Sequence, residues 1–138
     1  ARRGVLSPGE CRRFEREYDL AILQAVRQAP FNVMHVCGDN ALFEEFVDYP
    51  VAAFSWAATP GNPSLGEVHR RTGRAAIGGL SAKPVFKALT AAQVHEQARK
   101  AVSEMHGRWF LLGPECSIDP ETPASLLRAA CDAVRGTH

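Results

Sequence analysis

Between positions 7 and 25, apolar residues return every three or four positions. Cys11, Phe14, Tyr18, Ile22 and Ala25 make one stripe with polar residues between them, the period of an amphipathic helix. Ser7-Pro8-Gly9-Glu10 opens that helix as a capping box with proline at its first position. The pattern then changes. FNVMHVC (31–37) is apolar almost throughout and predicts a buried strand, and Gly38-Asp39-Asn40 supplies a turn. ALFEEFVDY (41–49) predicts a short helix with Asn40 or Asp39 as its N-cap. VAAFSWA (51–57) predicts a second strand, followed by the loop TPGNPSL and a polar helix near 64–72 stopped by Gly73. A third strand, RAAIGGLS, is predicted at 74–81, and TAAQVHEQARKAVSEMHG (90–107) reads as a long helix from Thr90 to Gly107. RWFLLG (108–113) reads as a fourth strand, and a last helix near 122–135 has Leu127, Cys131 and Val134 on one face.

Each predicted strand reaches the next through a helix, which forces parallel pairing, because a tight hairpin reverses the chain. The strands carry small and apolar residues on both parities, as expected of a sheet buried on both sides. The expectation is therefore an α/β protein of α(βα)₄ form, half of an eight-stranded barrel whose usual length is about 250 residues. Either the four strands make a small open sheet, or the chain belongs to something larger.

Composition narrows the partners. The chain has 138 residues, 46% hydrophobic and 22% charged, enough apolar mass for a core in one domain. Sixteen Lys and Arg against fifteen Asp and Glu leave a formal charge of +1, so nothing electrostatic points to nucleic acid or to an anionic membrane surface. No apolar run approaches the roughly 18 residues of a membrane helix, and ARRGVLSPGE lacks the apolar core of a signal peptide. A cytoplasmic, reducing setting is expected. The four cysteines, at 11, 37, 116 and 131, show no disulfide-framework spacing.

Candidate chemistry follows from strand parity. His35 and Cys37 are two residues apart and so share one face of the first strand, at its C-terminal end. The fourth strand runs into GPECSIDPETP, with Cys116 just past it. Ends of parallel strands are where α/β proteins place their sites, and curvature would bring the two ends together. One imidazole and two thiols with a position left open is the ligand set of a catalytic zinc site. The competing reading makes each cysteine a small buried hydrophobe and His35 an interior hydrogen-bonding residue. Position favours the metal, since these three fall at strand ends whereas Cys11 and Cys131 fall on apolar helix faces. His69, His95 and His106 lie in helices and are expected to be solvated, and His138 is terminal. Glu115 can be a fourth ligand, a catalytic base or a loop carboxylate. Asp39 and Trp56, near the ends of the first two strands, are candidate substrate contacts, with capping and packing as their alternatives.

MHVCGDN at the end of one strand, the GGLS strand, and GPECSIDPETP with a helix after it resemble the C-terminal half of the uroporphyrinogen decarboxylase superfamily, a (β/α)₈ barrel. SPGECRRFEREYDLAILQAV resembles the helix that precedes that half, so the resemblance spans roughly 7–135. It implies four further strands on the N-terminal side. His-x-Cys followed by a distant Cys resembles the corrinoid-dependent branch, such as the methylcobamide:coenzyme M methyltransferases, and implies zinc held by His35, Cys37 and Cys116. True decarboxylases of the superfamily place Gly-His-Gly where this chain has Gly113-Pro114-Glu115, and their catalytic Asp and Arg lie in the N-terminal half.

The activity implied is transfer of a methyl group from a methyl-corrinoid, often delivered by a separate corrinoid protein, to a zinc-activated thiol. Two alternatives stand beside it: a uroporphyrinogen decarboxylase of porphyrin biosynthesis, and an inactive half-barrel acting as an interaction module. Because a half-barrel leaves two sheet edges unpaired, self-association or pairing with an N-terminal half is expected as well.

Overall fold

In the computed structural model of the chain, which describes residues 2–135, four strands form one parallel sheet in sequence order. They are β1 (Val33–Val36), β2 (Ala53–Trp56), β3 (Ala75–Leu80) and β4 (Phe110–Pro114). The helices are α1 (Pro8–Cys11), α2 (Glu17–Ala25), α3 (Leu65–Thr72), α4 (Ala91–Met105) and α5 (Ala124–Arg135), with a wider π turn at Arg12–Arg16 joining α1 to α2. The predicted α/β class and parallel order are as expected.

Three helix starts follow from local chemistry. Ser7 Oγ accepts from the Glu10 N–H at 3.3 Å while the Ser7 N–H donates to the Glu10 carboxylate at 2.8 Å. Thr90 and Gln93 make the same reciprocal pair at α4, and Ser64 caps α3. α3 stops at Gly73, whose φ of 67° is the left-handed conformation that a glycine adopts without penalty.

Three expectations about helices need correction. The stripe predicted for the first helix does not face the core: Cys11 is buried, but Phe14, Tyr18 and Ile22 are 55%, 66% and 64% exposed, and Ala25 is exposed too. The inward side of α2 is Leu20 and Leu23, which pack on the core. Cys11 and Leu20, nine residues apart, would fall on opposite sides of an unbroken α-helix, and the π turn between them brings them round toward one side. Bonds to the 43–49 segment hold that orientation, with Arg12 on Glu45 at 2.8 Å, Arg16 on Asp48 at 2.6 Å and the Tyr49 hydroxyl donating to Asp19 at 3.2 Å.

The segment 41–49 is not an α-helix either. It holds a 3₁₀ turn at Phe43–Glu45, and its backbone bonds run to the residue three back. Phe43, Phe46 and Tyr49, all buried, recur every three residues, which suits a three-residue turn. Asp39 and Asn40 therefore cap nothing, and Asn40 sits at φ 53° inside the turn. Finally, α5 buries Leu126, Ala129, Ala130 and Ala133 rather than the Leu127 and Cys131 side, which is exposed. Both stripes have helical spacing. The alanines win because they let α5 lie close against α4, where Val94 and Ala98 are buried in the same cluster.

The sheet has one packed face and one open face. Residues opposite one another on paired strands point the same way, so Met34, Phe54, Ala76 and Phe110 make one row across the sheet, and His35, Ser55, Ile77 and Leu111 make the next row on the other face. Phe54 and Ala76 are fully buried and Met34 and Phe110 pack against them, whereas His35 and Leu111 are exposed. Between them Ser55 and Ile77 are half-buried, so the expectation of burial on both faces holds in full for one face and fails at the outer strands of the other. Near the end of β3 the backbone kinks at Gly79, φ 94°, where a Cβ would come within 2.5 Å of the Ala101 Cβ on α4. Only glycine allows that approach.

Candidate metal centre

His35 leaves the open face of β1, Cys37 follows one residue past the strand, and Cys116 lies two residues past β4. Three strand spacings separate β1 from β4, about 14 Å in a flat sheet. One ligand atom from each of His35, Cys37 and Cys116 nevertheless lies within 4.8 Å of the others. The curl of the sheet and the loop after β4 close the gap, so the two strand ends meet as they would along the arc of a barrel.

The donor set fits zinc. Two thiolate sulfurs, each about 2.3 Å from one tetrahedral centre, lie about 3.8 Å apart, and the Cys37 and Cys116 Sγ atoms are 4.0 Å apart. Cys37 and His35 are exposed and Cys116 is half-buried, so a further ligand can arrive from solvent. The two thiols differ. The Ser117 backbone N–H, its hydroxyl, the Cys37 thiol and the Lys83 cation hold Cys116 below the usual thiol range, whereas desolvation, then the bond and charge of Cys116, push Cys37 up. Cys11 is inert by comparison, since burial and its bond to Glu15 push its thiol up to about 11.

The other candidates fall around this cluster. Glu115 is not among the three converging donors. Its half-buried carboxylate accepts the Ala58 N–H and lines a cleft of about 520 Å³ with Ser81, Gln97 and Lys100. Desolvation raises its pKa, and the charge of Asp39 adds to the rise. Asp39 is exposed and accepts a 2.9 Å bond from the Thr59 hydroxyl. Trp56 does not reach the site. It is fully buried, its indole N–H donates to the Pro63 carbonyl at 2.8 Å and its ring packs on Phe43, so its role is packing, not substrate contact. Of the helical histidines, His106 is exposed, but His95 is half-buried and His69 is held 2.8 Å from the Arg74 carbonyl, stacked on Trp109. His138 lies outside the described residues.

Two polar residues missed in the sequence stand next to the cluster. Ser55, the hydroxyl in an otherwise apolar strand, lies opposite His35 with its Oγ 3.2 Å from Nδ1. Asn62 ties the loop after β1 to the loop after β2: its Oδ1 accepts from the Ala41 N–H at 2.7 Å and its Nδ2 donates to the Gly38 and Ala57 carbonyls at 2.9 and 2.8 Å. Ser55 was legible from strand pairing. Asn62 sat in a Pro/Gly loop with no pattern to mark it.

A parallel sheet in barrel order, carrying one imidazole and two thiols where its first and last strand ends meet, defines an α/β protein of half-barrel form with three donors at one edge that could hold a metal. The sequence matches the family model described as Uroporphyrinogen decarboxylase (URO-D) over residues 1–137, and the chain belongs to that family. This agrees with the resemblance carried by MHVCGDN and GPECSIDPETP. Among solved structures, a methyltransferase from Methanosarcina mazei is similar in fold, with a TM-score of 0.79 at 21% identity, over 95% of this chain and 38% of that one. The chain thus spans well under half the length of that protein. No curated protein matches in sequence. No helix among the described residues is long and apolar enough to cross a membrane.

Proposed function

We propose that this chain carries the metal-binding half of a zinc-dependent methyltransferase of the uroporphyrinogen decarboxylase superfamily, which passes a methyl group from a methyl-corrinoid to a thiol. The observation that carries this reading is the convergence of His35, Cys37 and Cys116 within 4.8 Å at an exposed sheet edge. Family membership and the likeness to a methyltransferase support it. His35 offers a neutral ring nitrogen, and Cys37 and Cys116 offer two thiolates. When bound, zinc would hold an arriving thiol as thiolate at neutral pH, where a free thiol of pKa about 8.5 is mostly protonated. In this reading Asp39 contacts the substrate and Glu115 handles a proton. The corrinoid comes as a small molecule or on a separate protein, in a reducing, cytoplasmic setting.

The test uses the complete barrel, this half together with an N-terminal half, and supplies methylcobalamin and a small thiol to one sample and a porphyrinogen to another. Zinc-dependent methyl transfer that persists below the free thiol's pKa and is lost in His35→Ala is expected. Metal-independent carbon dioxide release from the porphyrinogen, unaffected by Cys37→Ala, overturns the reading in favour of a decarboxylase.

Thiol labelling gives an independent expectation. With a haloacetamide and peptide mass mapping, Cys37, Cys116 and the exposed Cys131 should react well before Cys11, which is 1% exposed with a thiol pKa near 11. Added zinc should protect Cys37 and Cys116 and leave Cys131 unchanged.

We also propose that the chain is one half of a larger barrel-type domain. The exposed outer part of one sheet face, the free edge of β1 and the exposed Phe14, Tyr18 and Ile22 support this, because unpaired strand edges and exposed apolar side chains of this kind are normally covered. The 138-residue chain by itself is expected to self-associate, most simply as a two-fold dimer. Light scattering that shows a stable monomer across micromolar concentrations would favour a self-sufficient open sheet.

A further inference from the structure

We propose that Ser55 is the positioning residue of the metal centre: its hydroxyl accepts the Nδ1–H of His35 and leaves Nε2 as the ligand atom. The inference rests on the zinc reading above and assigns a role to a residue outside the ligand set.

The argument starts from register. β1 and β2 pair in parallel with His35 directly opposite Ser55, so both side chains leave the open face together. Seryl oxygen and Nδ1 are 3.2 Å apart, and among the described residues the Ser55 hydroxyl makes no other hydrogen bond. Around it the strand is AFSW, and its two neighbours Phe54 and Trp56 are fully buried on the opposite face. Ser55 itself is half-buried, on the face it shares with His35.

A neutral imidazole has one N–H and one lone pair, and the hydrogen bond made by one nitrogen decides what the other can do. With Nδ1 engaged by the neighbouring strand, Nε2 remains for the metal. A ligating histidine normally gives its other N–H to an acceptor that fixes ring orientation and tautomer. Here that acceptor sits on a central, paired strand, whose position is set by the sheet, while Cys37 and Cys116 both lie on loops. Ser55 therefore makes His35 the rigid member of the set, against which the two loop thiols close.

The test measures zinc affinity by competition with a chromophoric chelator for the native chain, Ser55→Ala and Ser55→Thr, together with the ¹⁵N NMR tautomer of His35 in the zinc-loaded native chain. Loss of a partner of this kind is expected to weaken zinc binding about 10- to 100-fold in Ser55→Ala. Ser55→Thr, which keeps the hydroxyl and suits a strand, should restore it. The NMR signature expected is a protonated Nδ1 with Nε2 metallated. Equal affinity in Ser55→Ala and the native chain, or an Nε2–H tautomer, overturns the role of Ser55 while leaving the zinc site standing. A native chain that takes up no zinc overturns the zinc reading itself, and this proposal with it. The tautomer is read on the native chain, so it decides the question even if a variant folds poorly.

Discussion

Replacing Cys37 by alanine is expected to take zinc uptake from about one ion per chain to none, and Cys116→Ala should do the same. Each removes one of the three donors that converge among the described residues, and with two left no tetrahedral N/S site can form. Cys11→Ala and Cys131→Ala should leave binding intact. Cys11 is buried under the first helix against Glu15 and Cys131 faces away from the core on α5, so neither belongs to the converging set. His35→Ala should also lose the metal, yet keep its fold, because His35 is exposed on the open face and its removal leaves no cavity. Elemental analysis after zinc loading and gel filtration reads all five chains directly. Full zinc occupancy in Cys37→Ala would show that the metal sits elsewhere.

The largest stability effect is expected at Trp56. Its side chain is fully buried, and its ring meets Phe43 at 5.1 Å, which in turn meets Phe54 at 5.4 Å, both tilted. Truncation to alanine removes this whole contact surface from the main core cluster and costs about 3–5 kcal/mol. It also leaves the Pro63 carbonyl without the indole N–H that bonds it at 2.8 Å. Trp56→Phe keeps most of the ring contact but loses that part-buried bond, which alone is expected to cost about 0.5–1.5 kcal/mol. Urea unfolding measures both. A Trp56→Ala chain less than about 1 kcal/mol weaker than the native one would contradict the packing role. Zinc affinity of Trp56→Phe should match the native value, since the indole does not reach the metal edge.

Several elements are legible in the sequence because their causes are local. Ser7 with Glu10, Ser64, and Thr90 with Gln93 mark helix starts, since a side chain three residues from its partner needs nothing but the helix itself to bond. The alternation of strands and helices implies parallel order even though one crossover, at 41–49, turned out to be a 3₁₀ turn. The pairing of His35 with Cys37 and its convergence with Cys116 follow from strand parity and from where parallel strands end.

Only the tertiary structure decided choices between equivalent local patterns. The first helix could bury Phe14, Tyr18 and Ile22 or Leu20 and Leu23, and α5 could bury Leu127 and Cys131 or its alanines. Nothing within a helix separates two stripes of the same period. What separates them is the partner: Glu45, Asp48 and Tyr49 hold the first helix, and the close approach of α4 selects small residues on α5. The same holds for Trp56, whose strand-end position was compatible with a pocket or a core until Phe43 and the Pro63 carbonyl were seen to enclose it. Asn62 acquires meaning only across loops, because a hydrogen bond between residues about 20 apart leaves no periodic trace along the chain.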